Sequence, residues 1–376
     1  MHRLRLGVVG VGHLGQHHAR VLASMDDVLL VGVADSRPDQ GRAVADRCGT
    51  TWFADWREML DQVDAVSVAV PTSAHREVAG EFLRRGLSAM VEKPLAIDSI
   101  EGAELVELAR TSGATLQVGH IERFNPTLSA LDGLDLRPKY IAAERLGTYT
   151  FRSTDIGVVH DLMIHDLDLI LSLIAAPVRS VEAVGVSLFG TLEDVANARI
   201  EFEDGAVANI TASRASYQAV RKMRLYGPEG YATLDFGARQ ATIVRPSEAL
   251  LRGDLQLEGV DLSSPPAVKD HVFGTVLQPE SIQCSGREPL ALELEDFVRS
   301  IRARTAPIVS GEIALRAMRL ADQVVDSINR HAWEGSARGP IGPRGFHGGD
   351  PAGSVPPRPK FLTSRVGRKD AVNEQA

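Results

Sequence analysis

The feature that most constrains this 376-residue chain lies in its first thirty-five positions. Leu4–Val9 is a mostly apolar run that ends in Gly10-Val11-Gly12-His13-Leu14-Gly15. Positions 16–25 then carry a helical pattern, and a second apolar run, Val28–Ala34, closes on Asp35. The order is strand, tight turn, helix, strand, acid. Each glycine has a physical job in such a unit: Gly10 permits the turn, Gly12 lets the backbone approach a pyrophosphate, and Gly15 lets helix and strand pack closely. The start of the helix offers free N–H groups and the positive end of its dipole to phosphate. Asp35 follows Gly10 by 25 positions, near the spacing of a carboxylate that grips an adenosine ribose. A glycine-rich turn that serves packing alone lacks this ordered context, so the unit reads as a dinucleotide cradle.

The alternation continues to position 120. Helical patterns cover 38–48, 76–85 and 98–112, and strand patterns cover 65–70, 87–91 and 115–118. Apolar strands alternating with helices imply a parallel sheet covered on both faces. Ligands of such sheets bind beyond the carboxyl ends of the strands. The polar residues at those ends are Asp35, Thr72, His75, Glu92, Lys93 and His120, and they are expected to line one crevice.

Past about 121 the character changes. Strand patterns at 141–144, 181–187, 196–202, 206–213, 223–226 and 231–236 are joined in two places by turn signals, Glu203-Asp204-Gly205 and Gly227-Pro228-Glu229-Gly230. Consecutive strands with short turns predict an antiparallel sheet. Helical patterns appear at 161–174, 290–303 and 310–329, and 238–285 reads as strands plus loops. Periodicity stops near 332, and 335–367 is rich in Gly, Pro and Arg. The predicted class is α/β: a doubly wound parallel sheet over 1–120, a second α/β domain over 121–331, and a disordered tail over 332–376.

A formal net charge of -8 argues against a nucleic-acid partner, which would want a basic face. Cys48 and Cys284 stand far apart, with no disulfide framework or zinc spacing, and read as reduced thiols of a cytoplasmic protein. No apolar run reaches the roughly 18 residues of a membrane span, and the N-terminus has no apolar signal core, so no membrane partner is expected.

Three residues stand out for chemistry. Lys93 lies at a strand end on the expected crevice; it is either a surface lysine or an ammonium that stabilises an oxyanion. Asp161 and His165 lie four apart and share a helix face with Asp168. Their surroundings, Leu162, Met163, Ile164, Leu167, Leu169 and Ile170, are apolar. A histidine there can take a proton near neutral pH. The alternative is an acid offsetting the helix dipole beside a hydrogen-bonded histidine. A metal site lacks a third ligand, so none is assigned. The cofactor set is Gly10, Gly12, His13, Leu14 and Gly15 in the first turn, and Asp35, Ser36 and Arg37 after the second strand. Val70, Pro71, Thr72 and His75, then Glu92 and Lys93, extend it along the crevice. Asp35 repels a 2′-phosphate and favours NAD, while Arg37 leaves NADP open.

Taken together, the glycine turn, Glu92-Lys93-Pro94 and Asp161-x-x-x-His165 resemble the glucose-fructose oxidoreductase, inositol dehydrogenase and rhizopine-catabolism (Gfo/Idh/MocA) family over residues 1–330. The stretch Val118-Gly119-His120-Ile121-Glu122-Arg123-Phe124-Asn125-Pro126 and the run Arg152-Ser153-Thr154-Asp155 resemble the branch that oxidises the 3-hydroxyl of UDP-N-acetylglucosamine for an amino-sugar form of lipid A. The resemblance implies an NAD-dependent sugar or nucleotide-sugar dehydrogenase. Its second sheet is open and mostly antiparallel, with one face forming a homodimer or homotetramer. Lys93 matches the catalytic lysine and Pro94 follows an often cis peptide. His165 matches the proton acceptor, and Asp161 the residue that orients sugar or histidine. His120, Arg123, Asn125 and Arg152 join these three as substrate contacts. Arg123, Arg145, Arg152 and Arg214 are the cations available for a diphosphate. The competing expectations are a free polyol dehydrogenase of the inositol type, a non-catalytic cofactor-dependent sugar sensor, and a glycoside-cleaving enzyme that holds NAD for transient oxidation.

Overall fold

The computed structural model describes residues 3–150, 156–189, 191–254, 257, 259–333 and 338–342. The first half holds six parallel strands: β1 (Leu4–Val9), β2 (Val28–Ala34), β3 (Thr51–Phe53), β4 (Ala65–Val68), β5 (Ser88–Glu92) and β6 (Leu116–Gly119). Helices α1 (Gly15–Ala23), α2 (Pro38–Cys48), α3 (His75–Arg84) and α4 (Ser99–Ser112) connect them. The spatial order β3-β2-β1-β4-β5-β6 reverses direction between β1 and β4. Such a switch point opens a crevice above the strand ends. The apolar runs reflect burial on both faces. Leu6, Val8, Ala65 and Met90 face one core, while Val9, Val66, Val68, Ala89 and Val91 face the other. β3 has three residues, too few for a sequence pattern, and it escapes the sequence reading.

The second half builds an eight-stranded sheet from β7 (Tyr140–Leu146), β8 (Val178–Val186), β9 (Val195–Phe202), β10 (Val207–Ser213), β11 (Val220–Gly227), β12 (Gly230–Asp235), β13 (Gln240–Pro246) and β14 (Leu277–Gln283). Their order is β14-β13-β12-β11-β7-β10-β9-β8. All pairs are antiparallel except β7 with β10, because β7 enters from the first domain and slots between β10 and β11. Helix α5 (Ile164–Leu173) covers the inner face, preceded by a π turn, Val159–Met163. Two short helices, α6 (Glu248–Leu251) and α7 (Pro265–His271), fill the connection between β13 and β14. Strict alternation makes the sheet two-sided. On β9, Ala196, Ala198, Ile200 and Phe202 are buried against helices, while Asn197, Arg199 and Glu201 point away.

The last helices tie the halves together. In α8 (Pro289–Ala303), Leu290, Leu294, Phe297 and Val298 join the core of the first sheet beside α1. In α9 (Gly311–Arg330), Ala314, Ala317 and Met318 face that sheet's second core, and Leu320, Ala321, Val324 and Ile328 face the second sheet. The boundary at 120/121 is therefore one of chain order, and the packing of α8 crosses it. Within the stretch expected as a tail, Ile341 pairs with Val186 at the free edge of β8, with Ser187 N–H donating to its carbonyl at 2.8 Å. An unpaired edge strand recruits backbone even from an aperiodic segment. Residues 343–376 lie outside the described part of the chain. Among the described residues no helix is long and apolar enough to cross a membrane.

Candidate active site

The three glycines of the first turn separate by geometry. Gly10 has φ +82°, and a Cβ there would sit 2.7 Å from the Ala69 carbonyl oxygen. A Cβ on Gly15 would lie 1.8 Å from the Gly10 carbonyl oxygen. These two serve the turn itself. A Cβ on Gly12 would meet only the Arg37 Nη2 tip, at 3.5 Å, so space is kept open above that backbone. No side chain caps the start of α1 and its first turn carries no acid, which leaves its amide dipoles to an anion. Asp35, at the end of β2, accepts from Val11 N–H at 3.0 Å and from Arg37 N–H at 2.9 Å. This cradle fits a dinucleotide: open backbone for the pyrophosphate, and a carboxylate at the rim for ribose hydroxyls. Arg37 Nε also bonds Asp35, at 3.3 Å.

The crevice continues over β4 and β5. Thr72 is buried in a 3₁₀ turn after Pro71. His75 is buried, with Nδ1 2.9 Å from the Pro94 carbonyl oxygen and Nε2 3.0 Å from the Val70 carbonyl oxygen, and the one N–H of the neutral ring donates to one of them. Both nitrogens face backbone carbonyls, so this residue ties the turn to the lysine segment and turns neither nitrogen toward a cofactor. Glu92 is held by His18, whose Nε2 lies 2.9 Å from Oε1 and whose Nδ1 meets Ser67 Oγ at 2.8 Å. Burial opposes its charge, but the His18 bond, reinforced by the charges of His18 and Lys93, keeps the Glu92 carboxyl below its ordinary range. His18 sits on the inner face of α1 and links that helix to β4 and β5.

Lys93 follows Glu92 directly, and its peptide bond to Pro94 is cis. Its Nζ donates to the Asp161 carbonyl at 2.6 Å and to Asp161 Oδ1 at 3.0 Å. Asp161 belongs to the π turn, so an ammonium on the first sheet meets a carboxylate at the entry to α5. His165 lies on α5 and is 9% exposed, with Nδ1 buried and without a partner among the described residues. Burial lowers its pKa well below 6.5, and the positive charge of Lys93 adds to this. The imidazole is therefore neutral near pH 7 and free to accept a proton. The His120 ring stands edge-on to it, with centroids 6.0 Å apart and neither ring nitrogen partnered among the described residues. Burial lowers the pKa of His120 as well.

Salt bridges lock the base of this arrangement. Arg145 on β7 donates Nε and Nη2 to Asp166 at 2.7 and 2.9 Å, and Nη1 to Glu122 at 2.8 Å. Although burial opposes its charge, the two carboxylates hold the guanidinium above its ordinary pKa. Arg214 donates to Asp194 at 2.7 Å and to the Ile156 carbonyl at 2.8 Å. Arg123 pairs with buried Asp168 at 3.3 Å. Asn125 caps the turn Pro126–Leu131 through Thr127 N–H at 3.0 Å, and its amide donates to Glu122 at 2.9 Å. Of the expected diphosphate cations, then, Arg145 and Arg214 are spent on structure, Arg123 is paired, and Arg152 lies outside the described residues.

The chain matches known families over both halves. Residues 4–120 match the oxidoreductase family model with an NAD-binding Rossmann fold, GFO_IDH_MocA, and residues 137–233 match the GFO/IDH/MocA C-terminal domain. The chain is 35% identical over 325 residues to UDP-N-acetylglucosamine 3-dehydrogenase of Acidithiobacillus ferrooxidans, covering 86% of this chain and 97% of that one. A solved structure of the same named enzyme superposes with TM-score 0.76 at 33% identity, covering 87% of this chain and 98% of the other. The scyllo-inositol 2-dehydrogenase (NAD(+)) of Bacillus subtilis is 27% identical over 82% of this chain and 89% of its own.

Proposed function

Since the chain belongs to the Gfo/Idh/MocA oxidoreductase family, we propose that it oxidises a secondary hydroxyl on a sugar ring, and that its substrate is UDP-N-acetylglucosamine reacting at C3. The observation that carries this reading is that Lys93, at the end of β5, bonds Asp161 and lies within electrostatic reach of the buried His165. Lys93 presents three donors; two hold Asp161, and the third is left for the substrate oxygen. His165, neutral because of burial, removes the hydroxyl proton. Lys93 stabilises the negative charge that develops on that oxygen, and Asp161 fixes where the ammonium points. When bound, NAD supplies the acceptor for the hydride leaving the ring carbon. Atoms balance: the alcohol loses one proton to His165 and one hydride, and a ketone remains.

Gly12, Asp35 and the amide end of α1 would hold the dinucleotide, and His13, Leu14, Ser36, Val70 and Pro71 would frame it. The relatives of the inositol type support a second reading, a free polyol as substrate. A panel of UDP-sugars and free polyols with NAD separates the two. NADH formed from UDP-N-acetylglucosamine with kcat/KM well above that for any inositol supports the first, and the reverse order overturns it. The same proposal takes the outer face of the second sheet, with its stacked Tyr140 and Tyr226, as the surface a second copy covers. Sedimentation equilibrium of the Tyr226→Glu variant tests that contact.

A further inference from the structure

On the reading that the substrate is a nucleotide sugar, a diphosphate sits on C1, a single ring carbon away from C3. It must lie close to the base that deprotonates the 3-hydroxyl, and it needs a cation there. Arg145 and Arg214 are already bound to buried acids, and Arg123 is paired with Asp168. Lys93 is committed to Asp161 and the reacting oxygen.

One further cation stands at this place. Arg221 lies on β11 directly across from Arg145 on β7. Opposed residues of an antiparallel pair share a face, so Arg221 shares the inner face with Arg145. The same row of β11 continues as Met223 and Leu225, both fully buried in the core under α5. Arg221 is the member of that row at the strand end, and there the face emerges from the core: the residue is exposed while Met223 is buried. Its guanidinium makes no hydrogen bond or ion pair with any described residue. Its charge reaches the site, because it is among the charges that lower His165 and one of those acting on Asp166.

We propose that Arg221 grips the diphosphate of the nucleotide sugar and thereby selects nucleotide-linked over free sugars. A guanidinium fork suits this task because it offers parallel donors to two phosphate oxygens. Arg224, three residues on, is the built-in control: it faces the opposite side of the sheet and lies 3.9 Å from Glu144.

The experiment compares full-length wild type, Arg221→Ala, Arg221→Lys and Arg224→Ala, each with NADH bound. UDP is the probe for calorimetric binding, and UDP-N-acetylglucosamine is the substrate for kinetics. Arg221→Ala should weaken UDP binding and raise KM by about 10–100-fold, the loss of one charged hydrogen-bonding partner, with kcat changed far less and NADH affinity unchanged. Arg221→Lys should fall between, keeping the charge and losing the fork. Arg224→Ala, on the face given to a second copy, should keep wild-type UDP affinity, which the inner face sets. Wild-type turnover of the nucleotide sugar with Arg221→Ala binding UDP normally overturns Arg221 alone. Wild type that neither binds UDP nor turns over nucleotide sugars overturns the substrate reading, and the role of Arg221 with it.

Discussion

Replacing Arg145 by Met tests whether the buried cation under α5 is structural. Its three charge-assisted bonds, to both oxygens of Asp166 and to Glu122, span 2.7 to 2.9 Å in a site that is 4% exposed. Methionine keeps the volume and removes the charge, so Asp166 and Glu122 lose their shared partner. Breaking a buried pair of this kind costs about 3–5 kcal/mol. At about 2–4 °C per kcal/mol for a domain of this size, the unfolding temperature should fall by on the order of 10 °C. The loss should depend on pH in a specific direction. Burial already raises the Asp166 carboxyl, with Arg145 opposing it. Without Arg145 the folded-state pKa rises further above the unfolded value. A group raised in this way contributes stability below its unfolded pKa and loses it as pH climbs, so the defect should be larger at about pH 8 than at about pH 5.5. Differential scanning calorimetry of the cofactor-free protein at both pH values measures this. An unchanged unfolding temperature together with a raised KM for the sugar would refute the reasoning and make Arg145 a substrate ligand.

Other consequences are equally concrete. Gly12→Val should leave the unfolding temperature of the cofactor-free protein within about 1–2 °C and abolish NADH binding, read by fluorescence titration, whereas Gly15→Val should fail to fold because its Cβ meets the Gly10 carbonyl. Lys93→Met and His165→Ala should each lower kcat by about 10²–10⁴-fold while NADH still binds. Because burial lowers the pKa of His165, the acid limb of the kcat/KM profile should lie below pH 6.5: the base stays unprotonated as pH falls through that value, and activity drops only further down. Glu293 is fully buried, and burial followed by the nearby Glu92 and Asp296 charges raises its carboxyl well above 4.5. Its contribution to stability is lost as pH rises toward that raised value, so Glu293→Gln should flatten the decline of wild-type stability in urea titrations between about pH 5 and 8.

What the sequence revealed follows the reach of its signals. The cradle is legible because turn, helix and acid are contiguous and each residue answers to a local constraint. Helix starts are legible for the same reason: Asp98 accepts from Ile100 and Glu101 N–H, and Ser310 accepts from Ile313 N–H. Lys93 and His165 are legible as candidates, but the residues alone do not show that they come together, since that depends on how two sheets dock; only the resemblance pairs them. Arg145 and Arg214 illustrate the converse. As sequence they are free cations; folding brings Asp166 and Asp194 against them, and their charge is no longer available. Arg221 escapes notice because the strand pattern in the sequence begins only at Met223, two residues after it. Only the register against β7 and the burial of Met223 show that its row is the inner one. The parallel pairing of β7 with β10 is invisible for a related reason: short turns report only neighbours in sequence.

Hydride transfer from the sugar carbon tests the central claim most directly. UDP-N-acetylglucosamine deuterated at C3, incubated with the enzyme and NAD, should yield a 3-ketone and NADH carrying the deuterium, detected by mass spectrometry, and the label transfer should slow by about 10²–10⁴-fold in Lys93→Met. NADH formed without the label, or label transferred equally well by Lys93→Met, would contradict it.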